Sequence, residues 1–149
     1  MKIFIISSKK FYKDIPMVVK KLQEAGHEAV MPILYDKPTA EQELREKIAL
    51  AKTPEEQEKA RAALANFKKK IYDQSEKAIV AADSVLCLNF DKTAGSNYIG
   101  SGMYNELLFA FRKGKQINLW LNAPEGTLFC DEINAFNPNV IMRKVKNIK

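Results

Sequence analysis

The run Asp83-Ser-Val-Leu-Cys-Leu-Asn89-Phe-Asp91-Lys92-Thr-Ala-Gly-Ser-Asn97-Tyr98-Ile-Gly100-Ser101-Gly102-Met-Tyr104-Asn-Glu106 reads as an apolar strand, a glycine-rich loop and the first turns of a helix. Unpaired backbone N–H groups converge at such a junction, at the carboxyl edge of an open α/β sheet. A phosphate- or sugar-bearing ligand is received there. Glu106 falls at that mouth, where the helix dipole is expected to keep its carboxylate ionised. Asp91, just past the strand, lies on the ligand side of the sheet. It is placed either to exchange a proton or to serve as a turn residue bonded to its own backbone. Tyr98 and Tyr104 are placed to orient Glu106 or to stack on a ring, or else simply to pack on the sheet edge. Ser101, with the backbone at Gly100 and Gly102, suits a phosphate or hydroxyl, and Ser101 is also the natural helix N-cap.

The surrounding chain supplies the elements that hold this junction. Residues 2–7 form a short apolar run rich in β-branched side chains, as a strand covered on both faces requires. A helix over 14–25 follows, with Pro16 in its first turn and Gly26 at its end, and a second strand covers 28–33. Thr39-Ala-Glu-Gln42 and Thr53-Pro-Glu-Glu56 both read as capping boxes, so two helices start there, the second running over 54–82. Leu64, Phe67, Ile71, Ala78 and Ile79 recur along one face of that helix, while its first half is rich in Ala, Glu, Lys and Arg. A projecting helical hairpin at about 39–71 is the expected result. Strands over 84–90, 116–121 and 140–143 alternate with helices over 101–113 and 127–136, and Trp120 reads as core. The pattern predicts one α/β domain over 1–149, a flavodoxin- or Rossmann-like three-layer sandwich on a five-stranded parallel sheet with a helical hairpin insertion.

Composition narrows the function. The 149 residues carry a net charge of +6, but most lysines interleave with glutamates in helical segments. Lys68-Lys69-Lys70 and the tail from Arg143 lack interleaved aromatics, so no nucleic-acid partner is expected. The apolar run from Ile3 to Ile6 is too short for a signal peptide or a membrane span, which predicts a cytoplasmic protein without a membrane partner. Cys87 and Cys130 read as reduced thiols, and no metal-ligand spacing surrounds them. His27, beside the Gly26 cap, reads as structural.

The stretch from Ala82 to Lys92, then Asn97-Tyr98-Ile99-Gly100, Glu106, Ala110, Lys115, Pro124 and Asp131-Glu132-Ile133, resembles a branch of the nucleoside 2-deoxyribosyltransferase-like superfamily. The resemblance spans residues 82–138, and its most specific piece is Asn-Tyr-Ile-Gly followed six residues later by Glu. It implies N-glycosidic chemistry on a nucleoside or nucleotide. Glu106 attacks the anomeric carbon and holds the sugar as an ester, which a second base or water then releases, as in retaining glycosidases. It further implies Asp91 and Tyr98 as helpers of Glu106, with Ser7, Ser8, Asn89, Asn97, Gly100, Ser101 and Gly102 binding substrate. No cofactor and no metal are implied, and sites completed by a neighbouring subunit imply a homodimer or larger assembly. Three positions depart from the pattern. Phe4 stands where a tyrosine is usual, Ser75 where an acid is usual, and Leu108 where glycine is usual. Two readings therefore stand side by side: an N-glycosidase or deoxyribosyltransferase, and a non-catalytic nucleotide-binding module of the same fold.

Overall fold

The computed structural model describes residues 1–91 and 97–149; the expected loop positions 92–96 lie outside the described residues. Five parallel strands, β1 (Lys2–Ile6), β2 (Glu28–Val30), β3 (Ser84–Cys87), β4 (Gln116–Leu119) and β5 (Asn139–Val140), line up in the order β2-β1-β3-β4-β5. This is the flavodoxin-like order, whose switch point lies between β1 and β3, where the connections leave for opposite faces and open a crevice. In register, Phe4 faces Val85 and Ile6 faces Cys87.

Alternation along each strand divides the core into two. Phe4, Ile6, Val85, Cys87, Ile117 and Leu119 pack with Ile79, Met103, Leu107 and Ala110, from helices α3 (Pro54–Ala81) and α4 (Ser101–Arg112). Ile3, Ile5, Leu86, Leu88 and Trp120 pack on the other face with Ile15, Val18 and Leu22 of α1 (Ile15–Glu24). A 3₁₀ segment, Lys9–Asp14, links β1 to α1. Among the described residues, no helix is long and apolar enough to cross a membrane.

The hairpin consists of α2 (Ala40–Leu50) and α3. Thr53 caps α3 through its Oγ1, which accepts from the Glu56 N–H at 3.1 Å; Glu56 reaches back to the Lys52 N–H at 2.8 Å. The other expected capping box is not made. Thr39 already has a helical backbone, and its hydroxyl donates to Glu43 instead. The 28 residues of α3 span about 42 Å at 1.5 Å per residue, against about 17 Å for the five residues of β1. Because α3 ends where β3 begins, its surplus length overhangs the carboxyl edge of the sheet.

Several elements are shorter than expected, β3 and β4 among them, which end at Cys87 and Leu119. The second strand stops at Val30, and the last helix, α5, covers only Cys130–Ala135. The fifth strand cannot continue to 143, since Met142 and Arg143 adopt left-handed backbone angles of φ 47° and 63°.

Asn89, expected to bind substrate, is fully buried and belongs to the framework. Its Nδ2 donates to the carbonyls of Leu121 (3.0 Å) and Asn122 (2.8 Å), and its Oδ1 accepts from the Leu121 N–H (2.8 Å). These bonds fasten the chain leaving β3 to the chain leaving β4, beyond the last ladder pair, where backbone groups still need partners. Asn89→Ala is expected to cost about 3 kcal/mol, because it strands the buried carbonyl and N–H of Leu121 and the part-buried carbonyl of Asn122. Urea unfolding with an unchanged m-value checks it; a loss within experimental error would return Asn89 to the ligand-binding set.

Candidate active site

A cavity of about 420 Å³ opens at the carboxyl ends of β1 and β3, beneath the overhang of α3. Four segments supply its wall. Ser7, Ser8 and Tyr12 come from the connection after β1; Lys68, Ile71, Tyr72 and Ser75 from one face of α3; Tyr98, Gly100, Ser101 and Gly102 from the entry to α4; and Glu106 from α4 itself. The size suits a small organic ligand. Five of the expected binding residues thus meet Glu106 in one place.

Glu106 is the sixth residue of α4 and shares the side of the helix that carries Met103, Leu107 and Ala110 into the core. Ser75 of α3, itself buried, donates a hydrogen bond to its carboxylate. Burial nevertheless dominates and raises the Glu106 carboxyl from 4.5 to about 7, against the opposing pull of the Ser75 bond. This corrects the expectation that the helix dipole keeps the group ionised. The dipole acts within the first turn, and Glu106 lies beyond it. Two neighbours feel the same charge: the Tyr12 phenol and the Cys87 thiol are both pushed up, by burial first and by Glu106 second.

Phe4, the departure in the first strand, is a fully buried core ring with no hydroxyl to offer. Tyr12, eight residues later in the 3₁₀ segment, brings a phenol near the carboxyl instead. Sequence reading missed it because a single tyrosine in a connection carries no periodic signal. Ser75, the second departure, proves to be the hydroxyl that holds Glu106.

Tyr98 reaches the pocket with its ring edge-on to Phe11, at 6.2 Å between centroids. Its hydroxyl lies over Gly100, where an added Cβ would sit only 2.6 Å from the Tyr98 Oη. Glycine at 100 is what lets the phenol rest there. Gly100 is also the N-cap of α4, and no side chain caps that end; Ser101 is the first helical residue and not the cap expected. The uncapped turn borders the cavity through Ser101 and Gly102.

Two expected site residues lie elsewhere. Asp91 is exposed, and its Oδ1 accepts from the Asn97 N–H at 3.1 Å, with Arg143 at 4.0 Å from its other oxygen. Asn97 has φ 41°, and its bond to Asp91 is of the kind a turn residue makes. Neither lines the cavity formed by the described residues. Tyr104 stacks on Phe129, at 4.5 Å between centroids.

The outer wall carries a polar cluster that the sequence disguised as ordinary helix-surface charge. Glu41 receives Arg45 at 2.8 Å, Lys9 at 3.1 Å and Lys68 at 3.1 Å. Burial alone would raise its carboxyl, but the hydrogen bonds from Arg45, Lys9 and Lys68 outweigh that and hold it down at about 2. Among the described residues, no group of three or more His, Cys, Asp or Glu side chains is arranged to hold a metal ion.

No protein-family model matches the sequence, and no curated protein matches it. Among solved structures, the chain is similar to a CMP N-glycosidase from Clostridium botulinum at 16% identity and a TM-score of 0.49, covering 94% of this chain and 85% of that one. It is also similar to a 2-deoxyribosyltransferase from Bacillus psychrosaccharolyticus at 17% identity and a TM-score of 0.48, covering 80% of this chain and 71% of that one.

The partly buried carboxyl of Glu106 makes stability depend on pH. Between 4.5 and about 7 the native chain keeps a proton that the unfolded chain releases, so stability falls as pH rises through that window and then levels off. The loss is at most about 3 kcal/mol. Glu106→Gln abolishes this titration and is expected to unfold later than the parent at pH 8 but with it at pH 4.5. Parallel pH profiles for the two chains would show a solvated carboxyl.

Proposed function

We propose that this chain cleaves the N-glycosidic bond of a nucleoside or nucleotide, with Glu106 as the nucleophile. One observation carries the reading: a single acid with a strongly raised pKa faces a ligand-sized cavity at the switch point of the sheet, with the Ser75 hydroxyl bonded to it and Tyr12 alongside. The resemblance of residues 82–138 to deoxyribosyltransferases supports the same chemistry.

In the first step a carboxylate oxygen of Glu106 bonds to the anomeric carbon as the C–N bond breaks, and the electron pair leaves with the base. Positive charge develops on the sugar beside the carboxylate, in surroundings poor in water, where their attraction is strongest. In the second step water, or the nitrogen of another base, attacks the same carbon and frees the carboxylate, and the proton the attacking group loses balances the charge of the departed base. A value near 7 leaves about half of Glu106 ionised at neutral pH, and the ionised half is a poorly hydrated nucleophile. Ser75 fixes its orientation. Tyr98, held over Gly100, is assigned to the sugar or the base, and Ser7, Ser8 and Ser101 to the sugar hydroxyls. The resemblance also supports a homodimer or larger assembly, and two free cysteines suit a cytoplasmic setting.

The alternative is a nucleotide-binding module without turnover, favoured by Phe4 and Ser75 standing where related transferases carry a tyrosine and an acid. Incubation with a panel of nucleosides and nucleoside monophosphates, with free base followed by chromatography, separates the two. Base release is expected, with kcat/KM rising as pH passes through about 7 and at least a hundredfold loss in Glu106→Ala. Release that survives Glu106→Ala unchanged removes the nucleophile assignment. No release, together with a nucleotide-induced rise in Tm, establishes the binding module.

A further inference from the structure

Glu41 already has more cationic partners than it can neutralise. Lys9, Arg45 and Lys68 converge on this one carboxylate, and all four side chains line the cavity that holds Glu106. Three positive charges against one negative leave two uncompensated. Glu41 is mostly covered, at 15% side-chain exposure, while Lys9, Arg45 and Lys68 remain 37%, 53% and 38% exposed. The cluster therefore presents its cations and hides its anion. Each ammonium has donors beyond the one aimed at Glu41, and the guanidinium, which spends its Nε and one terminal nitrogen there, keeps the other.

The distance from this cluster to Glu106 can be read along α3. Lys68 and Ser75 are seven residues apart on the same helical face, two turns or about 10 Å along the axis. Lys68 touches Glu41 and Ser75 touches Glu106, so α3 acts as a ruler between the two carboxylates. A pentose whose anomeric carbon lies on Glu106 and whose exocyclic phosphate lies on the cations spans such an interval once a hydrogen-bond length is added at each end. A phosphate monoester carries nearly two negative charges at neutral pH, matching the two left over.

We infer that Lys9, Arg45 and Lys68, gathered by Glu41 at the base of the α2–α3 hairpin, form a subsite for the 5′-phosphate, so that the substrate is a nucleoside monophosphate and not a free nucleoside. The inference rests on the reading of Glu106 as the group that meets the sugar. It gives the hairpin a role in specificity: the hairpin brings Arg45 and Lys68, and β1's connection brings Lys9.

Calorimetric titration with ribose 5-phosphate, ribose and inorganic phosphate tests the subsite without knowledge of the base. Ribose 5-phosphate is expected to bind at least tenfold more tightly than ribose and than phosphate alone. The double substitution R45Q and K68Q should remove at least tenfold of its affinity and leave ribose unaffected, whereas K69Q, on the neighbouring exposed lysine, should change nothing. Arg45→Lys, which keeps the charge and one contact to Glu41, should retain most of the binding and guards against a double variant that misfolds. Equal binding of the phosphorylated and plain sugar, undiminished binding in the double variant, or phosphate alone binding as tightly as the sugar phosphate each overturns the subsite. Equal base release from nucleosides and their monophosphates would sink this inference and leave the chemistry standing. Absence of any release with the sugar-phosphate preference intact would do the reverse.

Discussion

The carboxyl of Glu106 is taken out of bulk water where α4 runs past α3, and most of the site follows from that. On α4, Met103, Leu107 and Ala110 must face the sheet, and a residue three after Met103 and four before Ala110 shares their side. The same packing that secures the helix therefore draws the acid inward. On α3, Ser75 and Ile79 are the two fully buried residues. They lie one turn apart, so the contact that anchors the helix also delivers a hydroxyl to the carboxylate. One hydrogen bond does not replace a hydration shell, and the proton affinity rises accordingly.

The sheet explains why such an arrangement opens to ligand. Between β1 and β3 the chain departs toward opposite faces, and a crevice opens there. Ser7 and Ser8 leave on one side and Tyr98 to Gly102 arrive on the other. Asn89 keeps the crevice from spreading on the β4 side by fastening the chain beyond β3 to the chain beyond β4. An amide that looked like a ligand donor in the sequence is thus consumed by backbone groups that have no other partner.

What could be read from residues alone divides along a physical line. Period-two and period-3.6 patterns reach only as far as the next element, so β1, β3, α4 and the parallel sheet order were legible. So was Glu106, because strand, glycine-rich loop and helix are contiguous in the chain. Tyr12, Glu41 and Lys68 were not, since they become neighbours of the site only after α3 crosses it. The Glu41–Arg45 spacing of four is the ordinary mark of a solvated helix pair, and nothing local distinguishes it from a pair that a lysine from β1's connection will join. Glu106 escapes the helix dipole for the same reason. A helix end contributes about 0.3 to 1 kcal/mol to a nearby charge, which counts on a surface and loses once tertiary packing strips water from the group.

The hairpin is the least anchored part of the wall, and its polarity follows from that. No residue of α2 is fully buried, so apolar packing cannot fix how α2 sits against the connection after β1. The contacts of Glu41 with Lys9 from one side and with Arg45 and Lys68 from the other supply that fixing. An exposed ion pair would contribute little. A mostly covered carboxylate shared among three cations holds its geometry better, because losing one partner still leaves two. Excess positive charge is a necessary result of this solution, since a covered anion that organises several flexible cations leaves them turned toward the cavity. The pocket consequently has a cationic outer rim and an acid at its far end. That field aligns any ligand whose anionic end lies away from the carbon to be attacked.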